Sequence, residues 1–444
     1  MEELEDKKSL KKTLTPIMLW GLGVGYVISG MYFGWNLGLE KGGTIGLAIA
    51  TFFIIILYVT FTFSYSELAC SIPKAGGVFD YARKAIGKDF GFIAGMAQNI
   101  EFIFAPPAIA FAIGAYFNLL FPQMQILWIA IAIYIIFTLL NIYGVKAAAT
   151  FELVITILAV IELFIFAGVT LPHFEAKNLL INPLPNGYTG AFAALPFAIW
   201  FFLGIEGIAN VAEETINPQK DILKGFGSAI ITLVLLCILT FVAAVGVGGW
   251  EAIVFKADGT SSDSPLPMAM ALIVGDKSLL FHMLLTIGLF GLVASFHGLM
   301  LAGGRSTLEF GKAGYAPNFT GKVNARFQTP ANALLLNTLI GIIILLTGKT
   351  TEIITIAVFG ALTLYIIAMV SLIALRKKNP EMPRPFKVPL YPLSPILAIV
   401  IAIVSLLSMT YYNFYLSFFY FGLLFISYIA FKIFYNTTLV NQNN

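Results

Sequence analysis

The sequence predicts an all-α polytopic membrane protein: 12 transmembrane helices, arranged as a 5+5 inverted repeat with discontinuous helices 1 and 6, plus two additional C-terminal helices. Three observations carry this prediction. Of 444 residues, 59% are hydrophobic and only 11% are charged, against about 25% charged in a soluble domain. The apolar residues form long continuous runs, whereas a membrane β-barrel would show alternating segments of about ten residues. The first and sixth runs are interrupted by glycines at matching points, each opening a half of five runs, which is the sequence signature of an inverted-repeat transporter.

The same composition argues against a soluble enzyme, a nucleic-acid binder, a secreted disulfide scaffold and a disordered chain. A net charge of +3 gives no reason to expect a polyanionic partner. Cys70 and Cys237 both fall inside apolar runs, and with three histidines they offer no zinc spacing. There is no GxxxxGK[ST] phosphate loop, so ATP drive by this chain is not indicated. No cofactor, metal, nucleic acid or ATP is expected.

Taken in order, the apolar runs place spans at 16–39, 43–71, 90–120, 124–143, 146–170, 190–213, 224–248, 276–309, 330–347, 351–375, 392–411 and 414–435. The charged head at 1–15 reads as a cytoplasmic segment. The first run is too long for a signal-peptide core and lacks a clear small-residue cleavage site, so it is read as a mature helix. Residues 16–170 form the first repeat, 190–375 the second, and 392–435 the extra pair. Gly249 to Gly275, containing KADGTSSDSPLP, reads as a solvated outer loop. The basic, proline-rich RKKNPEMPRPFKVPLYP reads as an inner connection, and 436–444 as a short polar tail.

With the N-terminus inside, 21 of the 26 lysines and arginines fall on the inner side, including Lys7, Lys8, Lys11, Lys12, Arg305 and Arg376. The outer loops hold Lys41, Lys177, Lys256, Lys277 and Lys349. This bias follows the positive-inside rule and fits an even number of spans in a plasma or inner membrane, with both termini cytoplasmic.

The two interruptions are Gly21, Gly23, Gly25 and then Ile28 to Gly34 in the first span, and Trp200 to Gly207 in the sixth. Unwound backbone is tolerated at membrane depth only where it is buried in protein or lines a watered cavity. Glycines of this kind also serve close helix packing. Glu206 lies beside the second interruption. An intramembrane carboxylate costs about 2.5–3.5 kcal/mol and normally faces a pathway or a partner; it either caps freed backbone N–H groups or serves binding and proton transfer.

At these residues the chain resembles the amino acid–polyamine–organocation superfamily of secondary transporters. The resemblance rests on Ser29-Gly30, on Glu67 with Pro73-Lys74-Ala75-Gly76-Gly77, and on Gly204-Ile205-Glu206 through Glu213-Glu214 and Asn217-Pro218. Arg305 with Ala313-Gly314-Tyr315-Ala316-Pro317 completes it. Within the superfamily the chain is most similar to bacterial ethanolamine permeases, through Gly23 to Gly30 leading to Phe33-Gly34-Trp35-Asn36, through Glu101 to Ala110, and through Ser295-Phe296-His297-Gly298. Amino acid carriers of the superfamily have a small-residue turn at the first break; here Ile28 precedes Ser29-Gly30 and Met31-Tyr32 follows. In some proton-coupled relatives a midspan lysine in helix five replaces a sodium ion. No lysine lies between Lys146, expected to snorkel at the surface, and Pro172.

A carboxylate ligand wants backbone N–H groups at a half-helix N-terminus, whereas a small ammonium wants a carboxylate, carbonyls or an aromatic face. The acids around the inferred cavity are Glu101 and Glu206, and no midspan lysine or arginine opposes them. The expected substrate-binding residues are Ser29, Gly30, Met31, Tyr32, Phe33, Glu101, Phe104, Trp200, Phe202, Leu203, Gly204 and Glu206. Glu101, Glu206 and His297 are the candidates for proton coupling, since an unperturbed histidine titrates near 6.5. Glu152 and Glu162 are ten residues apart, about 15 Å along a helix, too far for a close pair.

The sequence thus reads as a secondary transporter importing ethanolamine or a similar small cationic or zwitterionic amine by alternating access with proton symport, in contact with membrane lipid. Sodium coupling stays open because a sodium site needs only carbonyls and hydroxyls. An amino acid permease or exchanger on the same scaffold is the nearest alternative; a membrane enzyme or a non-transporting receptor is more remote.

Overall fold

A computed structural model describes residues 12–143 and 145–442, with side chains for all of these except 145–147 and 434–442. Lys7, Lys8 and Lys11, the side chain of Lys146 and the final two residues of the expected tail therefore lie outside the described residues.

The helices are α1 (Pro16–Tyr32), α2 (Trp35–Ser71), α3 (Val78–Ala85), α4 (Lys88–Leu120), α5 (Ile126–Tyr143), α6 (Val145–Thr170), α7 (Thr189–Ala193) and α8 (Leu195–Trp200). A 3-10 segment, Ile205–Glu214, leads to α9 (Pro218–Gly248), α10 (Glu251–Val254), α11 (Pro265–Val274) and α12 (Leu279–Lys312). Then come α13 (Ala331–Leu345), α14 (Thr350–Lys378), α15 (Leu393–Tyr412) and α16 (Phe414–Gln442). Among the described residues, ten stretches are long and apolar enough to cross a bilayer, one of them Leu195–Glu214, made of α8 and the 3-10 segment; α1, α11 and α13 are shorter apolar helices.

The first interruption falls later than Ser29-Gly30. Both residues are inside α1, whose ladder runs on to the Phe33 N–H donating to Ser29 O at 3.1 Å. The chain breaks at Phe33 (φ −159°, ψ 175°) and Gly34 (φ 89°). Gly34 takes the left-handed region that side chains disfavour, and a Cβ there would also run into the Trp200 indole. Helix then resumes at Trp35 and is broken again at Gly43 (φ 63°, ψ −171°), where two helices meet across a kink at the expected boundary between the first two spans.

The sixth span is interrupted where expected. α8 ends at Trp200, residues 201–204 are turns, and Gly204 (φ 96°) opens the 3-10 segment. The 3-10 segment is itself kinked at Val211 (φ −106°, ψ 15°), in keeping with a conformation that rarely persists beyond three or four residues.

Three further features differ from the sequence expectation. The connection from Gly249 to Gly275 is a packed cap, because its LPMAMALIV stretch forms α11 and buries Leu266, Ala269 and Met270. Its Ser262 carbonyl accepts from Asn36 Nδ2 at 2.6 Å. Helix α3 was not expected; it buries Val78, Phe79, Tyr81, Ala82 and Ala85 on one face. The last helix passes 435 and reaches Gln442, since no glycine or proline interrupts it there.

Helix α1 is the axis of the bundle. Every residue from Gly21 to Tyr32 is buried, and α9, α12 and α6 pack around it, while α4 packs along α14 and α12. Helix α16 is peripheral and exposes Phe418, Phe425 and Ile426, as a lipid-facing element would.

The N-terminal segment is tied to the end of the 3-10 segment: Thr13 and Leu14 donate their N–H groups to Glu214 O (2.8 and 2.9 Å), and Ile216 donates to Leu14 O at 3.1 Å. Buried Glu67, near the end of α2, accepts from Arg376 Nε (2.8 Å) and Nη2 (2.5 Å) and from the Val388 N–H (2.7 Å). Removing this acceptor leaves a buried amide and a guanidinium unmatched, which costs about 1–3 kcal/mol. Glu67→Ala is therefore expected to lower the melting temperature of the detergent-purified protein by several degrees, checked by tryptophan fluorescence; an unchanged melting curve would refute a structural role.

Candidate functional site

The site grows out of the second break. Gly204 can hold φ 96° because it lacks a Cβ, which would stand 2.6 Å from Leu299 Cδ2. Two residues on, Glu206 points inward to the carboxyl group of Glu101, brought by α4. Gly360 lets α14 close on α4 at this level, since a Cβ there would lie 2.6 Å from Ala97 O and 3.1 Å from Glu101 N. Both glutamates are 0% exposed.

Glu206 Oε2 accepts from Tyr365 OH at 3.0 Å, and Tyr365 OH meets Tyr58 OH at 3.0 Å. Tyr58 OH also reaches Ile199 O, at 3.3 Å, on the turn before the break. The Glu101 carboxyl faces that of Glu206 and the backbone N–H of Gly204; no other side chain bonds either of its oxygens or Oε1 of Glu206. Two adjoining carboxyl groups have no donor between them unless one carries a proton. Sharing one proton, the pair has one net negative charge, which matches a single ammonium ion. The buried cation Arg305 is committed elsewhere: its Nε contacts Glu214 Oε1 and Oε2 at 3.1 and 3.0 Å, and its Nη2 contacts Oε1 at 3.0 Å.

The donors at the first break are already taken. The Ser29 N–H donates to Ser295 Oγ (2.8 Å), which in turn donates to Gly25 O (2.7 Å). The Phe33 N–H is held by Ser29 O, and the Gly34 N–H donates to Asn36 Oδ1 at 2.9 Å. An anionic substrate group finds none of these free in this arrangement.

The other expected site residues divide by location. Gly30 packs against the second break, where a Cβ would lie 2.5 Å from Trp200 O and 2.9 Å from Phe201 Cα. Phe33 meets the edge of Trp200 (5.5 Å between centroids), whose Nε1 is buried without a partner. Phe202 tilts against Tyr58 at 5.2 Å, which puts it beside the hydroxyl chain. Leu203 is buried in the turn, and Met31 O accepts from Trp35 Nε1 at 3.1 Å. Tyr32 turns away, its OH reaching Glu162 Oε2 (2.6 Å) and Ala159 O (2.9 Å) on α6. Phe104 is only partly buried, at the edge of the core. His297 is paired with Glu152 through Nδ1 to Oε2 at 2.6 Å. Sequence reasoning did not single out Tyr58, Tyr365 or this role for Glu152; isolated hydroxyls in apolar helices carry no local signal of their partners.

A helical membrane bundle whose two interrupted helices meet around buried acids defines a solute carrier. The chain belongs to the amino acid permease family, whose model matches residues 14–431. It is 28% identical to an uncharacterized transporter of Rhizobium meliloti, over 84% of this chain and 81% of that one. It is 25% identical to a branched-chain amino acid permease of Bacillus subtilis, over 86% and 85%. A low-affinity putrescine importer of Escherichia coli is 26% identical over 48% of this chain and 49% of its own. These relatives place the chain in the amino acid–polyamine–organocation superfamily and make it a transporter of the amino acid permease type.

Proposed function

We propose that this protein is a secondary transporter importing a small organic amine, ethanolamine or a close analogue, by alternating access with proton symport. The observation that carries this reading is the buried Glu101–Glu206 pair, which no cation meets among the described residues, together with a first break whose N–H donors are occupied. An ammonium donates to the carboxyl oxygens of the pair, and the Tyr58–Tyr365 hydroxyls hold Glu206 in place. The scaffold we assign is twelve spans in a 5+5 inverted repeat with two added helices, the basic connections turned to the cytoplasm. Amine recognition on a related chain has a precedent in the name of the putrescine importer.

The test is uptake of radiolabelled ethanolamine into proteoliposomes. Saturable uptake, driven by an inward proton gradient and abolished by a protonophore, is expected. Uptake that is unchanged when the gradient collapses, with no accompanying pH change, overturns proton symport. The second reading, an amino acid permease, is favoured by the match to the branched-chain permease over 86% of this chain. Saturable uptake of labelled leucine or alanine that ethanolamine does not inhibit would establish it.

Tyr365→Phe tests the hydroxyl chain. A hydrogen bond to a charged group contributes about 1.5–3 kcal/mol, so the variant is expected to raise the apparent KM for ethanolamine about tenfold or more. An unchanged KM would remove Tyr365 from the site.

A further inference from the structure

We propose that Glu152 and His297 are the proton-carrying pair that couples transport to the proton gradient; this rests on the amine-import reading above. Glu152 comes from α6 and His297 from α12, both with 0% side-chain exposure, and their contact is 2.6 Å. Glu152 Oε1 and His297 Nε2 are buried and unpartnered. The rings of Phe137 and Phe151 stand 5.8 and 5.5 Å from the imidazole, and so surround it with apolar material.

The pair can change charge without losing its contact. With the neutral imidazole donating from Nδ1 to the carboxylate, the pair carries one net negative charge. Adding one proton gives imidazolium and carboxylate, or imidazole and carboxylic acid, and the pair becomes neutral. The proton is taken from water on one side and returned to water on the other; no other bond changes. Both side chains are fully buried, and among the described residues no unpaired cation faces them. The titratable and charged groups around the pair are Tyr26 of α1, whose OH has no partner, and Arg305 of α12, which is bound to Glu214 of the 3-10 segment. Asn141 of α5 reaches the His297 carbonyl at 3.5 Å.

The pair also lies against the helix that must move. A Cβ on Gly25 would strike Glu152 Oε1 and lie 2.7 Å from Thr156 Oγ1; one on Gly298 would lie 3.0 Å from Glu152 Oε1. Thr156 donates to Gly21 O at 3.2 Å, and Ser295, two residues before His297, holds Gly25 O and the Ser29 N–H. Loading Glu152–His297 is thus felt directly by α1, one turn and a half from Gly30, where α1 packs on the second break.

The experiment uses full-length protein in weakly buffered vesicles containing a pH-sensitive dye, with ethanolamine as the probe. For one proton per amine, an inward gradient of one pH unit supports up to about tenfold accumulation. Wild type is expected to acidify the lumen as ethanolamine enters and to show that gradient dependence. Glu152→Gln and His297→Gln are each expected to bind ethanolamine, read by calorimetry, while the ratio of uptake with and without the gradient falls to about one. Either variant acidifying the lumen in proportion to ethanolamine, as wild type does, overturns the assignment. So does a wild type that moves ethanolamine with no proton, a result that needs no variant to fold. If wild type binds no ethanolamine at all, the amine reading itself has failed.

Discussion

Gly30→Leu protein is expected to reach the membrane folded and carry no substrate. A β-carbon at position 30 would stand 2.5 Å from Trp200 O and 2.9 Å from Phe201 Cα, and these are backbone atoms that cannot rotate aside. Overpacking of this kind costs about 1–3 kcal/mol, a roughly 5- to 150-fold loss of the closed form, and the rest of the leucine side chain adds to it. Gly204→Leu is expected to act alike for a second reason: φ is 96° there, and Leu299 Cδ2 is 2.6 Å from the new carbon. Uptake of labelled ethanolamine per correctly folded protein, with folding judged by size-exclusion profile, checks both. Wild-type transport by either variant would contradict the meeting of α1 with the second break.

The next largest effects belong to the acids. Glu206→Gln and Glu101→Gln each replace one of the two carboxyl groups that the amine would engage between α4 and the 3-10 segment. Truncating one partner of a buried, hydrogen-bonded charge pair costs about 2–5 kcal/mol, so uptake is expected to fall at least roughly 30-fold. Glu162→Gln serves as the comparison, because its carboxyl is bonded to Tyr32 OH on the far side of α1 and not to the pair. It is expected to retain most of its uptake at equal surface expression. Equal losses in all three variants would dissolve the assignment of Glu101 and Glu206 to the substrate.

The long helices were legible because apolar length is a one-dimensional property: the runs at 90–120 and 124–143 correspond to Lys88–Leu120 and Ile126–Tyr143. The second break was legible too, since Gly204 and Glu206 mark it locally. The first was displaced because several glycines compete between Gly21 and Gly34, and the one that adopts positive φ is chosen by a distant residue, Trp200, that denies it a side chain. Helix α3 has apolar residues at 78, 79, 82 and 85, a helical spacing, but eight residues are too few to stand out beside spans of thirty. The Glu101–Glu206 contact could be expected from two acids near two breaks. The pairing of Glu152 with His297, 145 residues away, and of Tyr58 with Tyr365, 307 residues away, depends on how the helices are laid side by side, which no local pattern records.

The hydroxyl of Ser295 stands between the Gly25 carbonyl and the Ser29 amide, so one rung of α1's ladder is completed by a neighbour. Neither partner is stranded. Because both groups of that rung are bonded through one side chain of α12, the buried axis of the bundle is fastened to its neighbour by its own backbone.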